Sequence, residues 1–202
     1  MFSVQESKTK AQELFQSAMK RRGKKQLAIA LSYEATDLFS RIASQLKASF
    51  EETFDIKVHL EPLAFKELFQ RLRSQQFHTT LIHAVAQYSD PINFLERFEF
   101  KDLPRNFSGW EHPEYQAILK QYRKLNDLEQ RHDLAKKAEQ ILLREMPIAP
   151  IYYEHYAYLQ KPYLHNLGIS PVGIVHFDRA FLNHKATSVS GDQLIPYLPL
   201  GA

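Results

Sequence analysis

Cysteine is absent from this chain of 202 residues, which excludes disulfides, thiolate metal sites, a cysteine nucleophile and a lipid-modified cysteine. Glycine is scarce, with six in the whole chain, and none forms the GxGxxG pattern of a dinucleotide site. No apolar run approaches the roughly 18 residues that span a bilayer. Residues 1–16 lack the basic start and apolar core of a secretory signal. The sequence therefore predicts a chain that neither spans a membrane nor carries a standard export signal.

The chain also lacks a large excess of charge of one sign. Its 26 basic and 23 acidic side chains leave a formal net charge of +3, so no strong attraction to nucleic acid is expected. The basic run at residues 20–25 is either a phosphate- or membrane-binding patch or the solvated last turn of a helix, and we favour the second interpretation. With 44% hydrophobic residues, the chain can bury the core of one domain or of two small ones.

Motifs for catalysis are missing as well. The nine histidines include no His-Glu-x-x-His pair, and neither a phosphate loop nor a nucleophile elbow occurs. His83 and His155 stand singly in apolar segments, and we interpret both as packed or surface residues because zinc needs three or four converging ligands. Asp90 is either a general base or the cap of a helix that starts at Pro91, and its position before a proline favours the cap.

The first half of the sequence alternates between helix and strand patterns. Ser7 can cap a first helix, and Gly23 can end it in the left-handed conformation. Thr36 or Asp37 opens a second helix, whose apolar face carries Ile42, Ala43, Leu46 and Phe50. The other predicted elements are strands at 27–31, 56–60 and 77–85, a helix after Pro62 that runs to Leu72, and a short helix at 91–98.

The second half begins with two consecutive helices, which we expect to cover the sheet. Pro113 begins the first of them, and Asp127 caps the longer second one. Residues 151–159 are predicted to form an aromatic-rich strand, before a tail rich in proline and loops. Strands joined by connections of about a dozen residues or more are typically parallel. The pattern therefore predicts an α/β fold with a mixed, largely parallel sheet flanked by helices.

Four segments, taken in their order and spacing, resemble a known family. They are KKQLAIALSY, TDLFSRIASQLKASFEETFDIKVHLEPLAFKELFQRL, AQYSDPINFL and HPEYQAILKQYRKLNDLEQRHDLAKKAEQILLREMPIAPIYY. Together they resemble the C-terminal lobe of the extracytoplasmic solute-binding proteins of peptide ABC importers, the oligopeptide- and dipeptide-binding proteins of family 5. The resemblance covers residues 6–181, and its most specific parts are 88–95 and 131–153. It implies one lobe of a periplasmic-binding-protein type II fold at 1–181 and a tail at 182–202 that returns toward the N-terminal lobe.

This resemblance implies a function as well as a fold. Members of the family are non-catalytic, substrate-binding components of bacterial ABC importers and work in the periplasm with a transporter permease. Two lobes close on an extended oligopeptide, whose side chains enter roomy pockets. No cofactor is implied for a peptide-binding member, and whether nickel or haem replaces the peptide, as in some relatives, stays open.

The resemblance further implies where the ligand lies. It places the strand-to-helix junction from Ala84 to Pro91 and the loop from Asn106 to Trp110 at the cleft. The amides and hydroxyls there suit a peptide without bringing a charge into the cleft. Tyr152 and Tyr153 either add stacking surface and a hydroxyl or pack on a half-buried strand. The expected ligand-binding residues are Ala84, Gln87, Tyr88, Ser89, Asp90, Asn106, Trp110, Tyr152 and Tyr153.

The sequence departs from the family pattern at this junction. Where members commonly have Gly-Trp-x-x-Asp-Tyr, residues 83–88 read His-Ala-Val-Ala-Gln-Tyr. Gln87 replaces the aspartate that anchors a peptide's amino terminus, so an ammonium group loses a charge-assisted bond, which is about twice as strong as a neutral one. Ala84 replaces a tryptophan that lines the cleft. We therefore expect either a bulkier or different ligand or a decayed site.

One lobe cannot close on a ligand by itself. The resemblance implies that a closing trap needs a separate N-terminal lobe chain, and three origins stay open: a lobe cut from a longer protein, the product of a split gene, or a truncated remnant. A remnant would have an interaction or structural role instead of ligand binding. A hydrolase that uses Asp90 with a histidine is a third alternative, and the missing nucleophile and oxyanion elements argue against it.

Overall fold

A computed structural model describes residues 4–23, 26–155, 158–170 and 173–183. The chain divides into two compact units, Met1–Ala84 and Val85–Ala202, and each unit has its own hydrophobic core. The predicted tail at 182–202 lies outside the described residues from position 184 onward.

The first unit is a small parallel sheet with its connecting helices. Its sheet has the order β2-β1-β3, and both neighbours run parallel to the central strand β1. Parallel strands need crossover connections, which α2 and α3 supply. The elements are α1 (Val4–Arg22), β1 (Ala28–Glu34), α2 (Asp37–Phe54), β2 (Lys57–Leu63), α3 (Phe65–Arg73) and β3 (Thr79–Leu81).

The core of the first unit forms where β1 and β2 meet α2. Leu31 and Val58 are almost completely buried, and Ala43 of α2 is inaccessible to solvent. The predicted apolar face of α2 packs against this cluster. Thr36 caps α2 by accepting the backbone N–H of Phe39, as predicted. Residues 31–33 of β1 are all buried, as expected for a strand paired on both sides with both faces covered.

The second unit is mainly helical. Its buried cluster consists of residues of α4, α5 and α6: Ile92, Leu95, Tyr115, Leu119, Tyr122, Ala135, Ala138, Ile141 and Leu142. Strand β4 pairs with β7 and β5 with β6, both antiparallel. The elements are α4 (Ile92–Leu95), a 3-10 turn (Glu96–Phe98), α5 (Pro113–Tyr122), α6 (Leu128–Glu145), β4 (Leu164–His165), β5 (Gly168–Ile169), β6 (Val175–His176) and β7 (Phe181–Leu182).

Local signals for helix ends are confirmed with one exception. Gly23 ends α1 with a positive φ of 62°, Pro113 begins α5, and the Asp127 carboxylate accepts the N–H of Gln130 at the start of α6. The predicted cap at Ser7 is wrong, because α1 already begins at Val4. No proline or glycine stands between these two positions to stop the helix from extending.

Two predictions about strands are also wrong. The apolar run at 77–85 forms only the three-residue strand β3, and Ile82 and Val85 are exposed. Residues 151–155, 158 and 159 have no strand and are exposed, because strand propensity needs neighbours to pack against. The core that α5 and α6 form inside the second unit consists of residues between Ile92 and Ile148.

We expect Leu31→Ala to lower the free energy of unfolding by about 2–5 kcal/mol, because it leaves a cavity under the central strand. Urea denaturation followed by far-UV circular dichroism measures the change. The matched control is Leu14→Ala, at a position that is 60% exposed and is expected to change stability by no more than about 0.5 kcal/mol. Equal effects of the two substitutions would contradict the assignment of the core.

Candidate functional site

The segment that leads into α4 is bonded to the helix that follows it. Asn93, which is 3% exposed, accepts the backbone N–H of Gln87 at 3.0 Å through its amide oxygen. Arg97, one helical turn further on, donates to the Val85 carbonyl at 2.7 Å and to the Asn93 amide oxygen at 3.3 Å. These contacts fix the backbone of residues 85–87, because each end of the segment has a partner on α4 or on the turn after it.

Asp90 joins three helices. One carboxylate oxygen accepts the N–H of Ile92 at 2.9 Å and the hydroxyl of Tyr122 at 2.6 Å. The other oxygen accepts from Arg131 at 2.6 Å, whose guanidinium lies 4.5 Å over the Tyr122 ring. Burial, followed by the hydrogen bond to Asp90, raises the pKa of Tyr122. Asp90 therefore holds the start of α4 against the end of α5 and the first turns of α6.

This geometry fits the capping interpretation of Asp90. Its carboxylate binds the N–H of the first residue of α4, although the backbone angles place the cap position itself at Pro91. A general base needs a free carboxylate within reach of a substrate proton. Donors from Ile92, Tyr122 and Arg131 already bond to both oxygens of this carboxylate, which favours a supporting role over that of a base.

A second ion pair joins the buried Glu99 to the exposed Arg123. Glu99 is 7% exposed, and its carboxylate accepts hydrogen bonds from both terminal nitrogens of Arg123, one of them at 2.7 Å. The hydrogen bond with Glu99 raises the pKa of Arg123. Tyr115 is fully buried and donates to the Leu95 carbonyl at 2.7 Å. A bidentate guanidinium–carboxylate pair is specific in geometry as well as in charge, so it fixes the 3-10 turn relative to α5.

The exposed polar residues of the junction are Gln87, Tyr88 and Ser89. The Gln87 amide oxygen, oriented toward Arg105, accepts from both of its terminal nitrogens at 3.1 and 3.3 Å. Tyr88 donates its hydroxyl to Glu96 at 2.8 Å, and burial followed by that hydrogen bond raises the pKa of Tyr88. Ala84 is also exposed. Ala84, Gln87, Tyr88 and Ser89 are thus all exposed, and their role in a ligand site stays a prediction.

The loop predicted to line the cleft is held together by Asn106. This residue is 3% exposed and donates to the carbonyls of Phe100 and Trp110 at 2.9 and 2.7 Å. Its amide oxygen accepts the Ser108 hydroxyl. Trp110 is partly buried and meets Tyr115 edge-on, with the ring centres 5.1 Å apart. Asn106 therefore fixes the shape of the loop, while its polar atoms are already in use.

Tyr152 and Tyr153 are 54% and 86% exposed and lie outside any strand. The interpretation that they pack on a half-buried strand is therefore wrong, and their rings are accessible. Within the described part of the chain, no hydrogen bond or ring contact joins either tyrosine to the junction. Their place in a ligand site stays a prediction.

Sequence reasoning missed the residues that position the junction. Asn93 and Arg97 are four residues apart on one helical face, a spacing that could have indicated their contact. Tyr122 and Arg131 lie 32 and 41 residues from Asp90, and only the fold brings them together. In the described ranges, no group of three histidine, aspartate or glutamate residues could hold a metal ion. No helix among those residues is both long and apolar enough to cross a membrane.

The chain resembles known peptide-binding proteins, although no protein-family model matches it. It is 33% identical to the oligopeptide-binding protein OppA of Bacillus subtilis over 153 residues, which are 76% of this chain and 28% of OppA. It is 27% identical to the dipeptide-binding protein DppE of the same organism over 85% of this chain and 32% of DppE. A structure of Listeria monocytogenes OppA bound to peptide matches 87% of this chain and 33% of that chain, with a TM-score of 0.73 and 25% identity.

The fold and the relatives together define the class of this chain. A parallel sheet flanked by helices, with these structural matches, is the architecture of a lobe of the periplasmic-binding-protein type II fold. Within that class, the chain is a homologue of part of the family 5 oligopeptide- and dipeptide-binding proteins. The chain spans about 30% of the length of these relatives, which fits a partial lobe. The resemblance predicted from the sequence motifs is confirmed.

We expect Asp90→Asn to lower the free energy of unfolding by about 1–3 kcal/mol, because Arg131 loses its charged partner in a partly buried position. Urea denaturation followed by the fluorescence of Trp110, which packs against this core, measures the loss. Asp102→Asn is the matched control, since Asp102 is exposed. An equal response of the two variants would contradict the structural role of Asp90.

We expect the stability of the second unit to fall as pH rises above about 10. Burial raises the pKa of Tyr115 above its ordinary value, so the unfolded chain loses the phenol proton first and unfolding becomes more favourable. Tyr115→Phe should flatten this slope, leaving the part due to Tyr88 and Tyr122, whose pKa values are also raised. Urea midpoints between pH 7 and 10.5 measure it. Tyr153→Phe, at an exposed position, should keep the full slope, and an unchanged slope in Tyr115→Phe would refute the explanation.

Proposed function

We propose that this chain is one lobe of the substrate-binding component of an oligopeptide ABC importer. It binds an extended peptide at the junction of residues 84–91 without catalysing a reaction. The observation that carries the proposal is the 33% identity to an oligopeptide-binding protein over 76% of this chain. The proposed ligand contacts are Ala84, Gln87, Tyr88, Ser89, Trp110, Tyr152 and Tyr153, while Asp90 and Asn106 support them.

The junction supports this proposal by its rigidity. Asn93 and Arg97 hold its backbone, and Asp90 holds the helix to which it leads. Exposed polar groups on a fixed backbone bind with a smaller loss of conformational entropy than groups on a mobile loop. An extended peptide offers backbone N–H and C=O groups along its length, and the amide and hydroxyl side chains of the junction can pair with both.

Capture of the peptide requires a second surface. Binding sites for small ligands bury most of the ligand's surface, which one lobe facing solvent does not do. We therefore infer that a separate N-terminal lobe completes the trap and that the closed pair docks on a transporter permease. The alternative is a lobe that keeps its fold and acts only in interaction or structure. Its support is the departure from the family pattern at residues 83–88, where Ala84 and Gln87 replace a tryptophan and an aspartate.

Calorimetry with a pool of peptides of three to six residues tests the proposal, first on the chain alone and then with an added N-terminal lobe of a related protein. We expect binding that is stronger with the lobe present. Gln87→Ala should weaken it about 3- to 10-fold, the effect of one or two neutral hydrogen bonds. Gln121→Ala, on the exposed surface of α5, is the matched control. Absence of binding in both settings would favour the interaction or structural role.

A further inference from the structure

Two arginines beside the junction have no acidic partner. Arg97 donates to the Val85 carbonyl and to the carbonyl and amide oxygens of Asn93, all of them neutral. Arg105 donates to the neutral amide oxygen of Gln87. Among the described residues, no ion pair includes either arginine. Two positive charges therefore stand at this site without an ion-pair partner.

The nearby acidic side chains are engaged elsewhere. Asp90 pairs with Arg131, and Glu99 pairs with Arg123. Glu96 accepts the hydroxyl of Tyr88 and offsets only part of the charge. Burial, followed by the charge of Arg105, lowers the pKa of Arg97, while Glu96 and Tyr88 act in the opposite direction. The two guanidinium groups are thus close enough to repel each other, and an added anion would relieve that repulsion.

Gln87 adds to the donor character of the site. Its amide oxygen is already used by Arg105, so the group that it can still offer a ligand is its NH₂, which has two donors. The remaining N–H groups of Arg105 are donors as well, since a guanidinium has no acceptor. An ammonium group needs acceptors, and this pair of side chains has none left to give. A carboxylate accepts from both side chains.

The surface beside these residues has room for such a group. The charged residues that line an open groove of about 410 Å³ beside the junction are Arg97, Arg105, Arg123, Glu96 and Glu99, and its apolar residues are Phe100, Leu103 and Pro104. Glu99 is neutralised by its pair with Arg123, so the arginines leave this groove with an excess of positive charge. This volume suits one side chain or a chain end, because ligand pockets usually measure about 300–1,000 Å³. Its apolar residues can contact the methylene groups of an acidic side chain while the arginines meet the carboxylate.

We propose that the junction binds a carboxylate of the peptide, with Arg105 and the Gln87 NH₂ group as its donors. The inference rests on the proposed function and specifies its substrate class: peptides with an acidic group at this position, rather than a free amino terminus. Arg97 contributes charge and holds the backbone. The carboxylate belongs either to an aspartate or glutamate side chain or to the carboxyl terminus, and the two sources are separable by blocking the peptide ends.

Calorimetry with defined pentapeptides tests the inference, with the N-terminal lobe present where it is needed for binding. The probes are acetylated and amidated Ala-Ala-Glu-Ala-Ala, its glutamine analogue, and penta-alanine with only the carboxyl or only the amino terminus free. We expect one carboxylate probe to bind about tenfold more tightly than its neutral or cationic counterparts. Arg105→Gln should abolish this preference, and Arg105→Lys should retain part of it. Arg41→Gln, which removes the same charge from the exposed face of α2, should retain all of it.

A second measurement separates this inference from the proposed function. Side-chain NMR signals of Arg105 and Gln87 are followed during titration with acetylglutamate amide and with acetylglutamine amide. Shifts with the acidic probe alone support the carboxylate site. If no peptide binds in that case, the proposed function fails while the carboxylate site stands. Peptide binding without a carboxylate preference, unchanged in Arg105→Gln, overturns the inference and leaves the proposed function standing. No peptide binding and no selective shifts overturn both.

Discussion

The carboxylate of Asp90 is the contact on which the second unit depends. It accepts from Ile92 of α4, Tyr122 of α5 and Arg131 of α6. The side chains of Asp90 and Arg131 are about three-quarters buried, so either charge alone would carry a desolvation cost that the pair removes. A four-residue helix such as α4 has little stability of its own. Its position, and with it that of the junction, is therefore set by this carboxylate and by the core beneath it.

Adjacent residues of the junction and of α4 therefore have different roles: some fix the backbone, and others are exposed. Asp90 and Asn93 use their polar atoms in hydrogen bonds inside the unit, and these bonds fix the backbone of the junction. Gln87 and Ser89 are exposed on that backbone. The division explains how a site can be rigid without being buried. Arg105 also orients the Gln87 amide by bonding to its oxygen, so that the NH₂ group is the part left to bind a ligand. A freely rotating amide could present its oxygen instead and would not discriminate between a carboxylate and an ammonium group.

Much of the fold was predictable from local chemistry, and much of the site was not. The ends of helices depend on nearest neighbours in the sequence, so residue types predict them. Examples are the caps at Thr36 and Asp127 and the start of α5 at Pro113. The aromatic stretch at 151–159 has the composition of a strand, but pairing depends on partners distant in sequence. Asn106 has a ligand-facing residue type, yet its amide turned inward to satisfy its own loop. The Asp90–Arg131 pair spans 41 residues, a distance over which periodicity carries no information.

A single lobe changes which contacts decide affinity. When two lobes enclose a ligand, buried area supplies a large part of the binding free energy, and one charged contact is a modest addition. On an open surface, less of the ligand is removed from water, while the cost of losing its translational freedom stays. The carboxylate contact at Arg105 would then provide a larger share of the affinity, and salt would weaken it because the site is exposed. Selectivity for acidic peptides should therefore be greatest at low ionic strength and in the absence of a second lobe, where area contributes least.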